Sequence, residues 1–190
     1  DERIYESYIG ILKEEMVPAM GCTEPIALAY GAARAREVLG KEPEHITAKC
    51  SGNIIKNVRC VIIPNSDGLT GIEAGVVLGA VAGNASLNME VLSNVNEFER
   101  KRCRELLDKK ICNVELLDSP VVLHFIIEMQ AGYDTVSLEI KYDHINVTKI
   151  VKNQEVLLDS DHKSEETPVA ADRTLLNLED IKTFADTVEI

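Results

Sequence analysis

The change of hydrophobic pattern near Cys112 restricts the fold of this chain more than any other feature. Beyond it, apolar residues alternate or run continuously over five segments typical of β-strands, namely 113–117, 121–129, 135–141, 144–150 and 155–158. Two of the intervening stretches, 132–134 and 152–154, have the composition of hairpin turns. This half is therefore predicted to form a mostly antiparallel meander.

The first half of the chain is predicted to be mainly helical. Helices are expected over 4–16 and 26–39, and over 96–109, where Asn96 and Glu99 have the spacing of a capping box. Two strands are predicted at 45–50 and 58–63. Segment 72–82 is rich in small residues, which indicates either close helix packing or approach to a ligand. We predict an α+β fold with N-terminal helices, a mixed central sheet with helices packed on it, and mostly antiparallel C-terminal strands.

The domain organisation follows from a polar stretch near the end of the chain. Residues 1–158 are predicted to form one α+β domain, and the acidic stretch 159–172 is predicted to be a flexible linker. A last helix, 178–188, is expected with Asn177 as its cap. A helix that follows a linker at the end of the sequence indicates that the native chain continues into a further domain.

Charge and cysteine content exclude several classes of protein. The net charge of -12 argues against binding nucleic acid through a basic surface. Neither a membrane-spanning apolar run nor a signal peptide is present in the sequence, so a soluble cytoplasmic protein is expected. The five cysteines are odd in number and lack a CxxC pair, which predicts reduced thiols and no complete metal site. His124 and His144 are predicted to lie within strands as surface or hydrogen-bonded residues rather than ligands.

The stretch Gly21 to Pro25 is the first candidate for chemistry. Thr23 is predicted to cap the helix that follows, with Pro25 in its first turn. Cys22 would then lie just before a helix N-terminus, where free N–H groups and the helix dipole favour an anion and lower the pKa of a thiol. This arrangement fits a reactive thiolate or a site for a substrate carboxylate. The alternative is a small buried hydrophobic residue.

A second candidate is a polar stretch that follows the strand at 45–50. It holds four hydrogen-bonding side chains within seven residues: Ser51, Asn53, Lys56 and Asn57. Such a cluster can receive the carboxylate and amino groups of a small ligand. The alternative is a solvated turn in which these side chains bond to the local backbone.

Three stretches, Val17 to Pro25, Ser51 to Asn57 and Gly71 to Asn84, together resemble the N-terminal half of the L-cysteine desulfidase family, relatives of the iron-sulfur L-serine dehydratases. The resemblance covers essentially the whole chain in the same order. It implies an oxygen-sensitive [4Fe-4S] lyase that converts L-cysteine to pyruvate, ammonia and sulfide. It also implies that most cluster ligands lie in a helical C-terminal half, present in cis or as a partner subunit, so this chain alone is expected to be inactive.

The resemblance gives roles to the candidate residues. A β-elimination needs a base for the α-proton and an electrophile for the leaving group. Cys22 is the candidate base, or else lies close to the cluster. Glu24 is either a proton relay or, with Thr23, orients the loop. The substrate carboxylate and amino group would be held by Ser51, Asn53, Lys56 and Asn57. Pyridoxal phosphate is not expected, because Lys56 has no phosphate-binding loop beside it.

Two other functions remain open at this stage. One is an L-serine dehydratase-like deaminase, because the sequence does not distinguish cysteine from serine or another β-substituted amino acid. The other is a non-catalytic amino-acid-binding regulatory domain that uses the same polar side chains. Homodimerisation through an exposed sheet edge is a further expectation.

Overall fold

The computed structural model describes residues 2–16, 18–160 and 171–188. The chain forms two compact units: Asp1–Pro18 with Ser164–Ile190, and Ala19–Lys163. The larger unit holds every candidate residue named above. Most of the predicted linker, 161–170, lies outside the described residues, as does Val17 of the first motif.

The larger unit alternates helices with strands before a run of strands. Its helices are α2 (Thr23–Leu39), α3 (Gly52–Val58), α4 (Gly71–Ala82) and α5 (Glu97–Asp108), with a 3₁₀-helix at Ala85–Glu90. Its strands are β1 (His45–Cys50), β2 (Cys112–Leu116), β3 (His124–Ala131), β4 (Asp134–Lys141), β5 (Val147–Lys152) and β6 (Glu155–Asp159). The smaller unit contains α1 (Glu2–Glu15), α6 (Leu178–Thr187) and a 3₁₀-helix at Arg173–Leu175.

The six strands form one mixed sheet in the order β2-β1-β3-β4-β5-β6. β1 pairs with β2 in parallel and with β3 in antiparallel, and the remaining pairs are antiparallel. The predicted α+β class is confirmed, and β3 to β6 form the predicted antiparallel meander, whereas β2 lies outside it, parallel to β1. Another detail is wrong: His144 lies in the turn between β4 and β5 rather than in a strand.

The strand predicted at 58–63 is wrong. Residues 52–58 form α3, and the rest of the segment makes only an isolated bridge between Ile62 and Thr70. Ile54 and Val58 are four residues apart, so in a helix both face the core, where they are fully buried. Ile62, by contrast, is 63% exposed. A short apolar run cannot by itself separate the end of a helix from a buried strand.

The core lies between the sheet and the pair of helices α2 and α4. Alternate side chains of β3 and β4, such as Phe125, Ile127 and Leu138, are fully buried on this side. Side chains on the other face are more exposed, and Lys49 and Glu128 form an ion pair there across β1 and β3 (2.7 Å). The sheet therefore has one packed face and one polar face.

The small residues of segment 72–82 are explained by helix packing. A Cβ atom added to Gly79 would lie 2.3 Å from the backbone oxygen of Ala29 and 2.6 Å from its Cα atom. The backbones of α2 and α4 can approach this closely only because Gly79 has no side chain. Close packing, rather than approach to a ligand, accounts for this part of α4.

In the smaller unit, aromatic contacts hold α1 against α6. The ring centroids of Tyr5 and Tyr8 lie 5.2 Å and 5.4 Å from that of Phe184. Asn177 caps α6 by accepting a hydrogen bond from the Asp180 amide, as predicted. Among the described residues, no helix is long and apolar enough to cross a membrane.

Candidate functional site

α2 begins at Thr23, so its N-cap lies one residue earlier than the sequence predicts. Gly21 has a φ of 130°, which favours glycine, and Cys22 is the N-cap in an extended conformation. Thr23 is therefore the first helical residue, and its prediction as the N-cap is wrong. Its hydroxyl donates instead to Oε2 of Glu24 (3.3 Å). Pro25 lies in the first turn, as predicted.

Cys22 is exposed, and its side chain makes no capping hydrogen bond. It lies at the N-terminus of a 17-residue helix, where the amide of Glu24 bonds to its own carboxylate and Pro25 has no N–H, so Thr23 has the remaining donor among the first three helical residues. The exposed thiol therefore lies at the positive end of the helix dipole. This is the placement predicted for Cys22, and it excludes the alternative of a buried hydrophobic residue.

Glu24 connects α2 to α3. The side-chain amide of Asn57 donates to Oε1 of Glu24 (3.0 Å). Burial raises the pKa of Glu24, but hydrogen bonds from its own backbone amide, Asn57 and Thr23, together with the nearby His144, outweigh burial and leave the pKa below its usual 4.5. Glu24 is therefore a carboxylate at neutral pH, suited to binding a cation and poorly suited to donating a proton.

The first turn of α2, the end of β1 and the start of β5 lie at one end of the sheet. The ammonium of Lys152, at the far end of β5, donates to the carbonyl of Val38 in the last turn of α2 (2.7 Å). Because α2 runs antiparallel to β1, its first turn lies at the opposite end, where β1 ends and β5 begins. His144, in the turn before β5, belongs to this end. Sequence reasoning missed it, because no local signal connects His144 to a glutamate 120 residues away.

The polar stretch 51–57 divides into a structural part and an accessible part. Ser51 is buried, and its hydroxyl donates to the Val122 carbonyl (2.7 Å), so Ser51 anchors the loop before β3. Asn53 and Asn57 are partly exposed and lie four residues apart, on one side of α3. Lys56 is exposed. The structure therefore brings Asn57 to Glu24, two residues after Cys22, but directs Ser51 elsewhere.

The cysteines are free and differ in their surroundings. Cys22 and Cys60 are exposed. Burial raises the pKa of Cys50, Cys103 and Cys112 to about 12 in each case. The described ranges contain no group of three or more His, Cys, Asp or Glu side chains that could hold a metal ion. An iron–sulfur cluster needs several converging thiolates, so ligands for such a cluster would have to come from outside the described residues.

Comparison with known proteins gives relatives along the whole chain. It is 42% identical to a UPF0597 protein of Treponema denticola over 191 residues, and 42% identical to one of Desulfitobacterium hafniense over 189 residues. Each alignment covers 100% of this chain and 44% of the relative. A UPF0597 protein of Fusobacterium nucleatum is 41% identical, with 97% of this chain and 44% of the relative covered. The chain thus spans less than half the length of these relatives.

No family model matches the chain. No solved structure matches it either. The relatives bear the name of a distinct family, and no family model connects the chain with the iron-sulfur serine dehydratases. The assignment to the L-cysteine desulfidase family is therefore wrong, and the chain is instead similar, over its full length, to UPF0597 proteins.

Proposed function

We propose that the corner formed by Cys22, Glu24 and Asn57 binds a small α-amino acid and forms the substrate-binding part of a longer lyase. The observation that carries this proposal is the Glu24 carboxylate, held by Asn57 at 3.0 Å beside an exposed thiol at the start of α2. A fixed carboxylate attracts the ammonium group of an amino acid. Because the pKa of Glu24 is lowered, the attraction is present at neutral pH.

The other end of the ligand has matching partners. The N-terminus of α2 favours an anion through the helix dipole, and the amide of Thr23 is not capped by the Cys22 side chain. Lys56, exposed on α3, adds a positive charge. The corner thus combines a carboxylate for an ammonium group with a helix N-terminus and a lysine for a carboxylate, a combination that suits a zwitterion.

The proposed chemistry is the elimination of a β-substituent. Cys22, as a thiolate, takes the α-proton, the electron pair forms the Cα–Cβ double bond, and the β-substituent leaves with the electrons of its bond. The enamine product then hydrolyses to an α-keto acid and ammonia. Groups that assist the leaving substituent, including any cluster and its ligands, would come from parts of a longer protein or a partner subunit.

Binding is tested by calorimetric titration of the chain with L-serine and L-alanine, the second of which lacks a leaving group. Glu24→Gln keeps the shape of the side chain but removes its charge, and we expect about tenfold to a hundredfold weaker binding, because a hydrogen bond to a charged group contributes about 1.5–3 kcal/mol. The matched control is Glu155→Gln, an exposed carboxylate at the other end of the sheet, where Glu155 pairs with Lys152 across β5 and β6. Equal affinities of the two variants would refute the site.

Catalysis is tested separately, on a longer protein that contains this chain and has the length of the relatives. It is prepared without oxygen. Pyruvate release from L-cysteine and L-serine is measured for the wild type and for Cys22→Ser. We expect Cys22→Ser to abolish turnover and to retain amino-acid binding. Binding without turnover in the wild type would favour the second candidate, a regulatory amino-acid-binding domain.

The proposed location is the cytoplasm. Five free thiols, two of them exposed, suit a reducing compartment. Mass spectrometry of the protein purified under native redox conditions tests this, because a disulfide between the exposed thiols would contradict it.

A further inference from the structure

A hydrogen-bonded chain of three side chains lies away from the corner described above, on the polar face of the sheet. Nδ1 of His124 is 2.7 Å from the hydroxyl of Ser119, and Nε2 of His124 is 2.9 Å from Oε1 of Glu139. His124 begins β3, and Glu139 lies on the neighbouring strand β4. Ser119 belongs to the loop before β3. We call these three residues the Ser119 relay.

The protons of the relay can be assigned from its partners. Glu139 also accepts from the hydroxyl of Thr148 at Oε2 (3.0 Å) and pairs with the ammonium of Lys141 (3.2 Å). An ionised carboxylate only accepts, so Nε2 of His124 must donate to it. In the neutral imidazole, Nδ1 then has a free lone pair and accepts the hydroxyl proton of Ser119.

The remaining contacts hold this arrangement in place. The Ser119 oxygen accepts a hydrogen bond from the backbone amide of Val121 (3.1 Å), which fixes its orientation. His124 is only 7% exposed, whereas Ser119 is partly accessible. Burial raises the pKa of Glu139, but hydrogen bonds from His124, Lys141 and Thr148 outweigh burial and lower it. Glu139 therefore stays charged next to a shielded imidazole.

This is the order of groups that activates a serine nucleophile: a hydroxyl bonded to an imidazole, which is oriented by a carboxylate. Here the two ring nitrogens exchange the roles they have in the chymotrypsin triad. The roles depend on geometry rather than on which nitrogen is used. Both nitrogens of His124 are engaged, one with the nucleophile and one with the carboxylate.

We propose that Ser119 is a nucleophile that accepts an acyl group from a carboxylic ester or thioester bound on the polar face of the sheet. The Ser119 oxygen forms a bond to the carbonyl carbon, and its proton passes to Nδ1 of His124. The bond from carbon to the leaving oxygen or sulfur then breaks, and that atom takes the proton from His124. Water repeats the sequence, releasing a carboxylic acid and restoring Ser119. Glu139 acts as a positioning residue.

The test is covalent labelling with an alkyl fluorophosphonate, which forms an O–P bond to an activated serine and releases fluoride. Peptide mass spectrometry compares the labelling rates of Ser119 and Ser137 within the wild-type chain. Ser137 lies on β4 and is also partly exposed, so it serves as an internal control. A positioned base contributes about 10²–10⁴-fold, so Ser119 should be labelled at least about a hundredfold faster. Equal rates at the two serines would overturn the proposal.

Variants separate activation from structure. His124→Gln should reduce labelling of Ser119 to the rate of Ser137, and Glu139→Gln should reduce it partly and change its pH dependence. Circular dichroism establishes whether each variant folds. If His124→Gln does not fold, the rate ratio in the wild type still decides the proposal. Unchanged labelling in a folded His124→Gln variant would contradict it.

Discussion

Replacing Gly79 with alanine should weaken the packing of α2 against α4 and thereby the support of the candidate site. An added Cβ atom would meet three backbone atoms of Ala29, the oxygen at 2.3 Å, Cα at 2.6 Å and the carbonyl carbon at 2.7 Å. Ordinary contacts begin near 3.4 Å. The helices must therefore separate by roughly 1 Å, because backbone atoms in a packed helix cannot turn aside as a side chain can.

The size of the effect follows from two opposing terms. Overpacking of a tight core costs about 1–3 kcal/mol, and a clash with backbone belongs at the upper end. Alanine is a better helix former than glycine by about 1 kcal/mol, which offsets part of this cost. The expected net loss is about 2 kcal/mol in the free energy of unfolding, or a decrease of about 4–8 °C in Tm for a chain of this size.

The measurement is thermal unfolding followed by circular dichroism, with Gly52→Ala as the control. Gly52 begins α3, and the nearest atom to an added Cβ there is Cδ1 of Leu116 at 4.0 Å. This substitution should leave Tm unchanged or raise it slightly, since it reduces the entropy of the unfolded chain. If Gly79→Ala is as stable as Gly52→Ala, the close approach of α2 and α4 is refuted.

Three further outcomes are expected. A brief pulse of iodoacetamide should modify Cys22 and Cys60 and leave the three less accessible thiols unmodified, as counted by intact mass; modification of more than two would contradict the burial described here. Asn96→Ala removes the capping box of α5 and should cost about 1 kcal/mol in a urea titration, whereas no loss would mean that the cap is not formed. Because the pKa of Glu24 is lowered in the folded state, the carboxylate should stabilise the fold above pH 4.5, and this stabilisation should be lost as the pH falls through the folded pKa. The difference in Tm between the wild type and Glu24→Gln should therefore shrink on acidification. A difference that grows would contradict this.

The fold could be predicted where the pattern is local. The five strand segments beyond Cys112 and the helices at 26–39 and 96–109 correspond to elements of the structure, because periodicity and capping are properties of neighbouring residues. The parallel pairing of β1 with β2 could not be predicted, since it joins strands more than 60 residues apart. The error at 58–63 has the same origin: the burial of Val58 at the end of α3 depends on what packs against it.

The candidate site was predicted only in part, for a related reason. The position of Cys22 before a helix follows from the adjacent residues Gly21 and Pro25. The hydrogen bond between Glu24 and Asn57 requires α2 to lie against α3, and no sequence pattern specifies that contact. Ser51 has the same hydrogen-bonding groups whether it binds a ligand or anchors a loop. Only its burial against the Val122 carbonyl distinguishes the two roles.

Ser51 also explains how the two proposed sites can be independent and yet lie at the same end of the sheet. Its backbone amide donates to the carbonyl of His124 (2.9 Å), and its hydroxyl holds Val122, so the loop that carries Ser119 is fixed to the start of α3. From this junction, α3 extends toward Glu24 on the packed side of the sheet, while the Ser119 relay lies on the polar side. A buried serine can thus fix the geometry of both sites without contacting either ligand. An apolar side chain at this position would leave the Val122 carbonyl without its hydrogen-bond partner, which explains why a polar residue is buried here.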